Sequence, residues 1–284
     1  PIYTVEGKAL PAENSDPDLP GYADSQPVRI GNAAEQQVQT DVFGPIMELI
    51  WRLGRAGSPL DERHWRLVEL LVDAADRRWQ EPDQGIWEIR AEPRHHVHSK
   101  TMCWMAVDRG VALAGTVFNR SMPEWERLRD TIGAQVVTEG WNPDESAFTA
   151  AYGSTDLDSA VLAVGLSGLV PPDDSRWVST VEAIEAQLRD GPTVYRYRRD
   201  DGLPGEPSGF NLMTSWLIDA KIVTGDVDGA RALFADYAAL AGPTGLLSEE
   251  YDPVTAQARG NFPQAYSHLG LIENALNLAE ASDL

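Results

Sequence analysis

From residue 33 onward, apolar residues recur at intervals of three and four, the spacing that lays one face of an α-helix against a core. The pattern predicts helices near 34–54, 61–79, 99–118, 122–139, 156–168, 174–189, 209–224, 226–241 and 262–281. Helix-start signals support several of these: Asp61 with Glu62 in the first turn, Ser99, and Asp173 with Asp174. Alternating stretches are few and short, around Ala147–Tyr152 and Val194–Arg198. The expected fold class is all-α. Residues 1–32 read as an irregular N-terminal segment and residues 33–284 as one helical domain.

The connections alternate in length. The first, third, fifth and seventh are short (AGSPL, NRSMP, VPPD, TGD). The second, fourth, sixth and eighth are long: QEPDQGIWEIRAEPRHHVH, GWNPDESAFTAAYGST, DGPTVYRYRRDDGLPGEPS and AGPTGLLSEEYDPVTAQARGN. If successive helices run antiparallel, every long connection lies at one end of the bundle. Long loops gathered on one face of a rigid scaffold are where chemistry concentrates. The arrangement suggests a toroid of helical hairpins. A simple solenoid is the alternative, but no repeat of fixed length appears.

Composition narrows the function classes. At 284 residues the chain allows one or two domains. No run of eighteen apolar residues occurs, so no membrane partner is expected. The N-terminus lacks both a signal-peptide pattern and an initiator Met, and the chain is expected to be a piece of a longer one. Cys103 stands alone, so an internal disulfide is excluded and a cytoplasmic address is expected. The net charge of −21 repels nucleic acid and anionic lipid and suits neutral or cationic partners.

The stretch DQGIWEIRAEPRHHVHSKTMCWMAVDRG, residues 83–110, concentrates the candidate chemistry. His95, His96 and His98 lack the spacing of a zinc site, which asks for His at i and i+4 on a helix or paired CxxC, so no metal is expected. Cys103 lies between Met102 and Trp104, an apolar setting that raises a thiol pKa and favours a core role. No nucleotide, dinucleotide or esterase motif occurs, and no cofactor is implied. Carboxylates remain. Glu88 follows Trp87 in the second long loop, and Glu249 and Glu250 lie in the last. A protonated carboxyl facing an ionised one is what glycosidic cleavage needs, and a tryptophan beside the acid can pack on a sugar ring. Among 44 acidic residues, however, two loop glutamates are cheap. Aromatics in or beside the long loops (Trp87, Trp104, Trp141, Tyr152, Trp216 and Tyr251 among them) suit a carbohydrate pocket, whereas Trp51, Trp65, Trp79 and Trp125 sit at core spacing.

Several motifs in order, GIWEIR, SKTMCWMAVDRG, GWN at 140–142, PPDD, YRYR and LLSEEYDP…GNFPQAYSHLGLI, resemble the family-15 glycoside hydrolases, which include glucoamylases and bacterial α,α-trehalases. The resemblance covers nearly the whole chain, QPVRIGNAAEQQVQTDVFG at 27–44 included. It implies an (α/α)6 barrel that hydrolyses α-glucosidic bonds with inversion and releases β-glucose. By motif, Glu88 matches the general acid and Glu249 the general base. Trp87 would line the glucose subsite, and Trp141 and Tyr251 are further substrate-binding candidates. His98 and Lys100 of HVHSK are candidates to reach the pocket, although Lys100 also reads as a helix-start residue facing solvent.

The departure is at the N-terminal side. Bacterial members carry a β-sandwich and then an early-helix motif resembling NWDYRYCWLRD, which is absent here. Nine helices against twelve imply the C-terminal portion of the catalytic domain. The expected partners are a carbohydrate and a complementary N-terminal chain or domain. Two alternatives stand beside the hydrolase. One is a non-catalytic sugar-binding or subunit-pairing barrel fragment. The other is a different α/α toroid enzyme, such as a sugar epimerase, which needs a histidine pair facing the pocket.

Overall fold

The computed structural model describes residues 4, 6–8, 12–22, 25–199 and 207–282. Among these, nine α-helices carry the chain: α1 (Phe43–Arg55), α2 (Glu62–Arg78), α3 (Val97–Thr116), α4 (Pro123–Glu139), α5 (Ala163–Leu166), α6 (Ser175–Leu188), α7 (Asn211–Val223), α8 (Val227–Ala239) and α9 (Ala265–Ser282). Local chemistry fixes most starts. Asp61 and His64 form a reciprocal capping box on α2, Pro123 opens α4 where its missing N–H costs nothing, and Asp174 caps α6.

Three expectations need correction. The helix read over 34–54 is instead a 3-10 turn at Ala33–Gln36, an extended run, and then α1. The run's backbone groups find partners elsewhere: Val38 N–H donates to Gln84 Oε1 (2.8 Å), Val38 O accepts from Gln84 N–H (3.0 Å), and Thr40 N–H donates to Asp83 Oδ2 (2.9 Å). Those bonds replace the ones a helix would have made. Ser99 is no cap, because α3 begins at Val97, whose N–H is taken by the Ala150 carbonyl. The helix read over 156–168 shrinks to a 3-10 turn (Ser159–Leu162), capped by Asp158, running into the single turn of α5.

The odd-numbered helices pack in succession, α1 on α3, α3 on α5, α5 on α7 and α7 on α9, and form an inner wall. The even-numbered helices lie against that wall, α2 and α4 on α3 and α6 and α8 on α7. Burial follows this order. Residues His96–Val107 at the start of α3 are buried without a break, the signature of a helix with no solvent face. The fold is therefore mostly helical, an (α/α)-type array of hairpins. Arg52 on α1 and Glu273 on α9 meet at 3.3 Å, so the first and last helices touch. Beside that pair, Ile46, Leu49 and Leu53 on α1 and Leu269, Ile272 and Leu276 on α9 stay exposed, Leu269 at 61%.

Strands occur only in the connections. β1 (Asn14–Asp16) pairs with β2 (Val28–Ile30), β3 (Trp141–Asn142) with β4 (Ala147–Phe148), and β5 (Arg189–Asp190) with β6 (Thr193–Val194). β7 (Gly209–Phe210), β8 (Glu250–Asp252) and β9 (Gln257–Arg259) form a three-stranded antiparallel sheet with β8 central. Both strand expectations reduce to these short pairs, and residues 200–206 of the sixth connection lie outside the described residues. No helix among the described residues is long and apolar enough to cross a membrane.

Candidate active site

The four long connections interlock. A bridge pairs His96 with Ala151, and the Trp87 indole N–H donates to both oxygens of Asp158 at 3.0 Å, joining the second connection to the fourth. Ser159 donates from its backbone and its hydroxyl to the Arg196 carbonyl, joining the fourth to the sixth. Arg196 then pairs with Glu250 at 3.2 Å, and Phe210 lies opposite Glu250 in the β7–β8 register, joining the sixth to the eighth. The long loops therefore share one end of the bundle.

Glu88 occupies a left-handed backbone position, φ +52°, in the turn of GIWE. A non-glycine residue there costs about 1–3 kcal/mol and persists only when its surroundings enforce it. The enforcement comes from the segment before α1. Gln37 Nε2 donates to the Glu88 and Ile89 carbonyls (3.1 and 3.3 Å), and Asn32 Nδ2 donates to Glu88 Oε2 (3.1 Å). The boundary read at 32/33 thus runs through a segment that touches the candidate acid. Asp41, on the same segment, carries a buried oxygen without a partner. Burial and the nearby Asp83 push its carboxyl up to about 6.

Trp87 is held edge to face against Phe210 (5.5 Å between ring centroids), with the Arg196 guanidinium 5.7 Å from its own centroid. Asp158, 4% exposed, is the anchor beneath it. Burial raises its carboxyl, while bonds from Ala160 N–H and Trp87 oppose the rise. Glu249 directly precedes β8. Its Oε2 accepts from Asn261 N–H (2.9 Å) and its Oε1 from Gln264 (3.3 Å). Gly260 at φ +69° leaves room for that carboxylate, since a Cβ there would lie 2.6 Å from Oε2. Glu250 faces Arg196, and burial raises its carboxyl against the pull of that arginine.

The remaining candidates divide. Tyr251 lies in β8 beside the glutamates, opposite Gly209. His98 is buried and stacks on Trp216 at 5.9 Å, and burial pushes its imidazole down to about 3, so it is neutral. Lys100 is also buried rather than solvent-facing, and its ammonium donates to the Glu81 carbonyl, tying down the base of the GIWE loop. Trp141 packs edge to face on Phe148 in the β3–β4 hairpin. Cys103 is fully buried with its thiol pushed up to about 12, as a core cysteine should be. Trp65, Trp79 and Trp125 are core, while Trp51 is half-buried under the guanidinium groups of Arg55 and Arg109. Three residues at the centre of the arrangement, Asn32, Asp158 and Arg196, went unnamed in the sequence. YRYR drew attention to Arg196's neighbourhood, and IGNAAEQ carries the N-cap signal of Asn32.

Comparisons with known proteins bear on the family and the fold. The chain is 38% identical over 282 residues to a trehalase of Thermoplasma acidophilum, covering 99% of this chain and 48% of that protein. It is 37% identical over 286 residues to a trehalase of Mycobacterium tuberculosis, covering 99% and 42%. The chain thus spans just under half the length of these curated relatives. A bacterial glucoamylase solved with acarbose superposes with a TM-score of 0.73 at 14% identity, over 86% of this chain and 41% of that one. Residues 1–276 match the family described as glycosyl hydrolases family 15. With a match over nearly its whole length, the chain belongs to glycosyl hydrolase family 15.

Proposed function

We propose that the chain carries the acid and the base of an inverting hydrolase that cleaves α-glucosidic bonds in trehalose or short α-glucans and releases β-glucose. One observation carries the reading: Trp87, the neighbour of Glu88, is tied through Phe210 and Arg196 to the strand of Glu250, which Glu249 directly precedes. In this reading Glu88 gives its proton to the glycosidic oxygen as the bond from C1 breaks. Glu249 takes a proton from the water whose oxygen bonds to C1 from the opposite face. Both oxygens of Glu249 accept N–H bonds, an arrangement that would hold a base in place. Trp87 supplies the sugar platform. Tyr251 and Trp141 line the approach, and His98, through Trp216, and Lys100, through the GIWE loop, act from behind it. The trehalase relatives favour trehalose as substrate.

Proton NMR of the purified chain with trehalose and, separately, maltose tests this. Early β-glucose that disappears in Glu88→Gln, with loss of about 10²–10⁴ in rate, is the expected result. Glu88→Gln with most of its activity would overturn the assignment.

A second reading, a barrel piece that pairs with a complementary chain and does not turn over alone, is favoured by the exposed apolar stripes on α1 and α9. Sedimentation of the chain separates the two. Monomers that hydrolyse trehalose eliminate the second reading, and self-associated, inert chains eliminate the first.

A further inference from the structure

We propose that Asn32 is a positioning residue for the general acid, and that it selects which oxygen of Glu88 delivers the proton. The inference rests on the assignment of Glu88 as that acid. Asn32 makes two bonds with opposite ends of its amide. Its Oδ1 accepts the Ala34 N–H at 2.8 Å, which caps the 3-10 turn Ala33–Gln36. Because the oxygen is committed to an N–H donor, the end facing Glu88 is the NH2 group, 3.1 Å from Oε2. The cap therefore settles the amide's orientation.

In a protonated carboxyl the carbonyl oxygen is a stronger acceptor than the hydroxyl oxygen, so the N–H of Asn32 favours the arrangement in which the oxygen it engages is the carbonyl one. The transferable proton then sits on Oε1. Gln37 grips the Glu88 and Ile89 carbonyls, which holds the backbone so that one oxygen of the carboxyl faces Asn32, and a flip about Cγ–Cδ only exchanges two equivalent oxygens. Asn32 and Gln37 lie on one short turn, so a single local element fixes both the strained backbone and the head of the acid. As the C1–oxygen bond breaks, the Oε1 proton goes to the leaving hydroxyl. The carboxylate left behind keeps the Asn32 N–H on Oε2, and water's oxygen completes C1 while its proton goes to Glu249.

The test separates proton delivery from folding. Asn32→Ser and Asn32→Asp both keep an oxygen for the Ala34 N–H, and serine and aspartate cap as well as asparagine does. Both lose the donor to Glu88. Each variant is compared with the wild type on trehalose, whose leaving group needs a proton, and on α-glucosyl fluoride, whose fluoride leaves without one. For Asn32→Ser we expect an unchanged melting temperature and kcat on trehalose down about tenfold with KM nearly constant, against fluoride turnover within a factor of about two. Asn32→Asp, which sets a second carboxylate against Oε2, falls further on trehalose alone. Equal losses on both substrates would make Asn32 merely structural, and no loss on either would make its bond irrelevant; both outcomes overturn the inference. Glu88→Gln measured alongside distinguishes the two levels. If that variant still hydrolyses trehalose, the general-acid assignment itself fails. A wild-type chain that turns over neither substrate overturns the hydrolase reading, and the inference with it.

Discussion

Glu88 and Glu249 are both loop glutamates, and their surroundings are built on opposite plans. Glu88 receives a single side-chain donor on one oxygen, sits on a strained left-handed backbone, and has the acidic Asp41 in its neighbourhood. Glu249 receives donors on both oxygens, one of them a backbone N–H, and its neighbour Glu250 faces Arg196 and Arg259. One site gives a single donor to one oxygen among the described residues, with Asp41 close by. The other gives a donor to each oxygen, beside a Glu250 whose own charge is met by Arg196. In the proposed reading the difference teaches that residue type says little about role, and that the number and kind of hydrogen-bond partners are what set the two glutamates apart.

The largest effect that could break this contrast is a comparison of the adjacent glutamates. Glu249→Gln should lower trehalose turnover by about 10²–10⁴, and Glu250→Gln by less than about tenfold, acting through Arg196. Steady-state rates with the two effects reversed would move the base to Glu250. A smaller effect is expected from Gly260→Ala. The added methyl would stand 2.6 Å from Glu249 Oε2 at a φ of +69°, so kcat should fall about tenfold and the chain should lose about 1–2 kcal/mol in urea unfolding. Unchanged kcat would show that the Glu249 geometry is dispensable.

The smallest expected effect concerns the acidic side. Asp41 is pushed up to about 6, chiefly by burial. A folded-state pKa above the unfolded one stabilises the fold at low pH, and that stabilisation is lost as pH rises through about 6. Asp41→Asn removes the penalty of ionisation, so it should gain about 1–2 kcal/mol over the wild type at pH 7–8 and little at pH 4. Melting curves across that range that stay parallel would mean Asp41 is solvated and the acidic neighbourhood is weaker than drawn.

Much of the scaffold was legible because helix period is local. Most boundaries of α2, α4, α6, α7 and α8 fall within a residue or two of the expected ones, and the alternation of loop lengths correctly gathered the long connections at one end. Where a tertiary partner outbids the helix, the pattern misleads. Ala34, Val38 and Val42 stand at helical spacing, but Val38 and Thr40 spend their N–H groups on Gln84 and Asp83. Glu88 and Glu249 could be picked out because they stand in recognisable motifs, GIWE and SEEYD. Their keepers could not. Asn32 lies 56 residues from Glu88 and Asp158 lies 71 residues from Trp87, and no local signal tells an ordinary loop asparagine or aspartate which distant partner it will meet.

Those long separations have a kinetic meaning. The links that make the rim, Trp87 to Asp158 across 71 residues and Ser159 to Arg196 across 37, can close only after helices have brought their ends together, because each prepays the entropy of a large loop. Helical hairpins joined by short connections form first at little entropic cost, so the rim is assembled last, on a wall already standing. The rim is built from connections rather than long helices, and its amides should be the first to open to solvent as a unit while the amides of α3 stay closed.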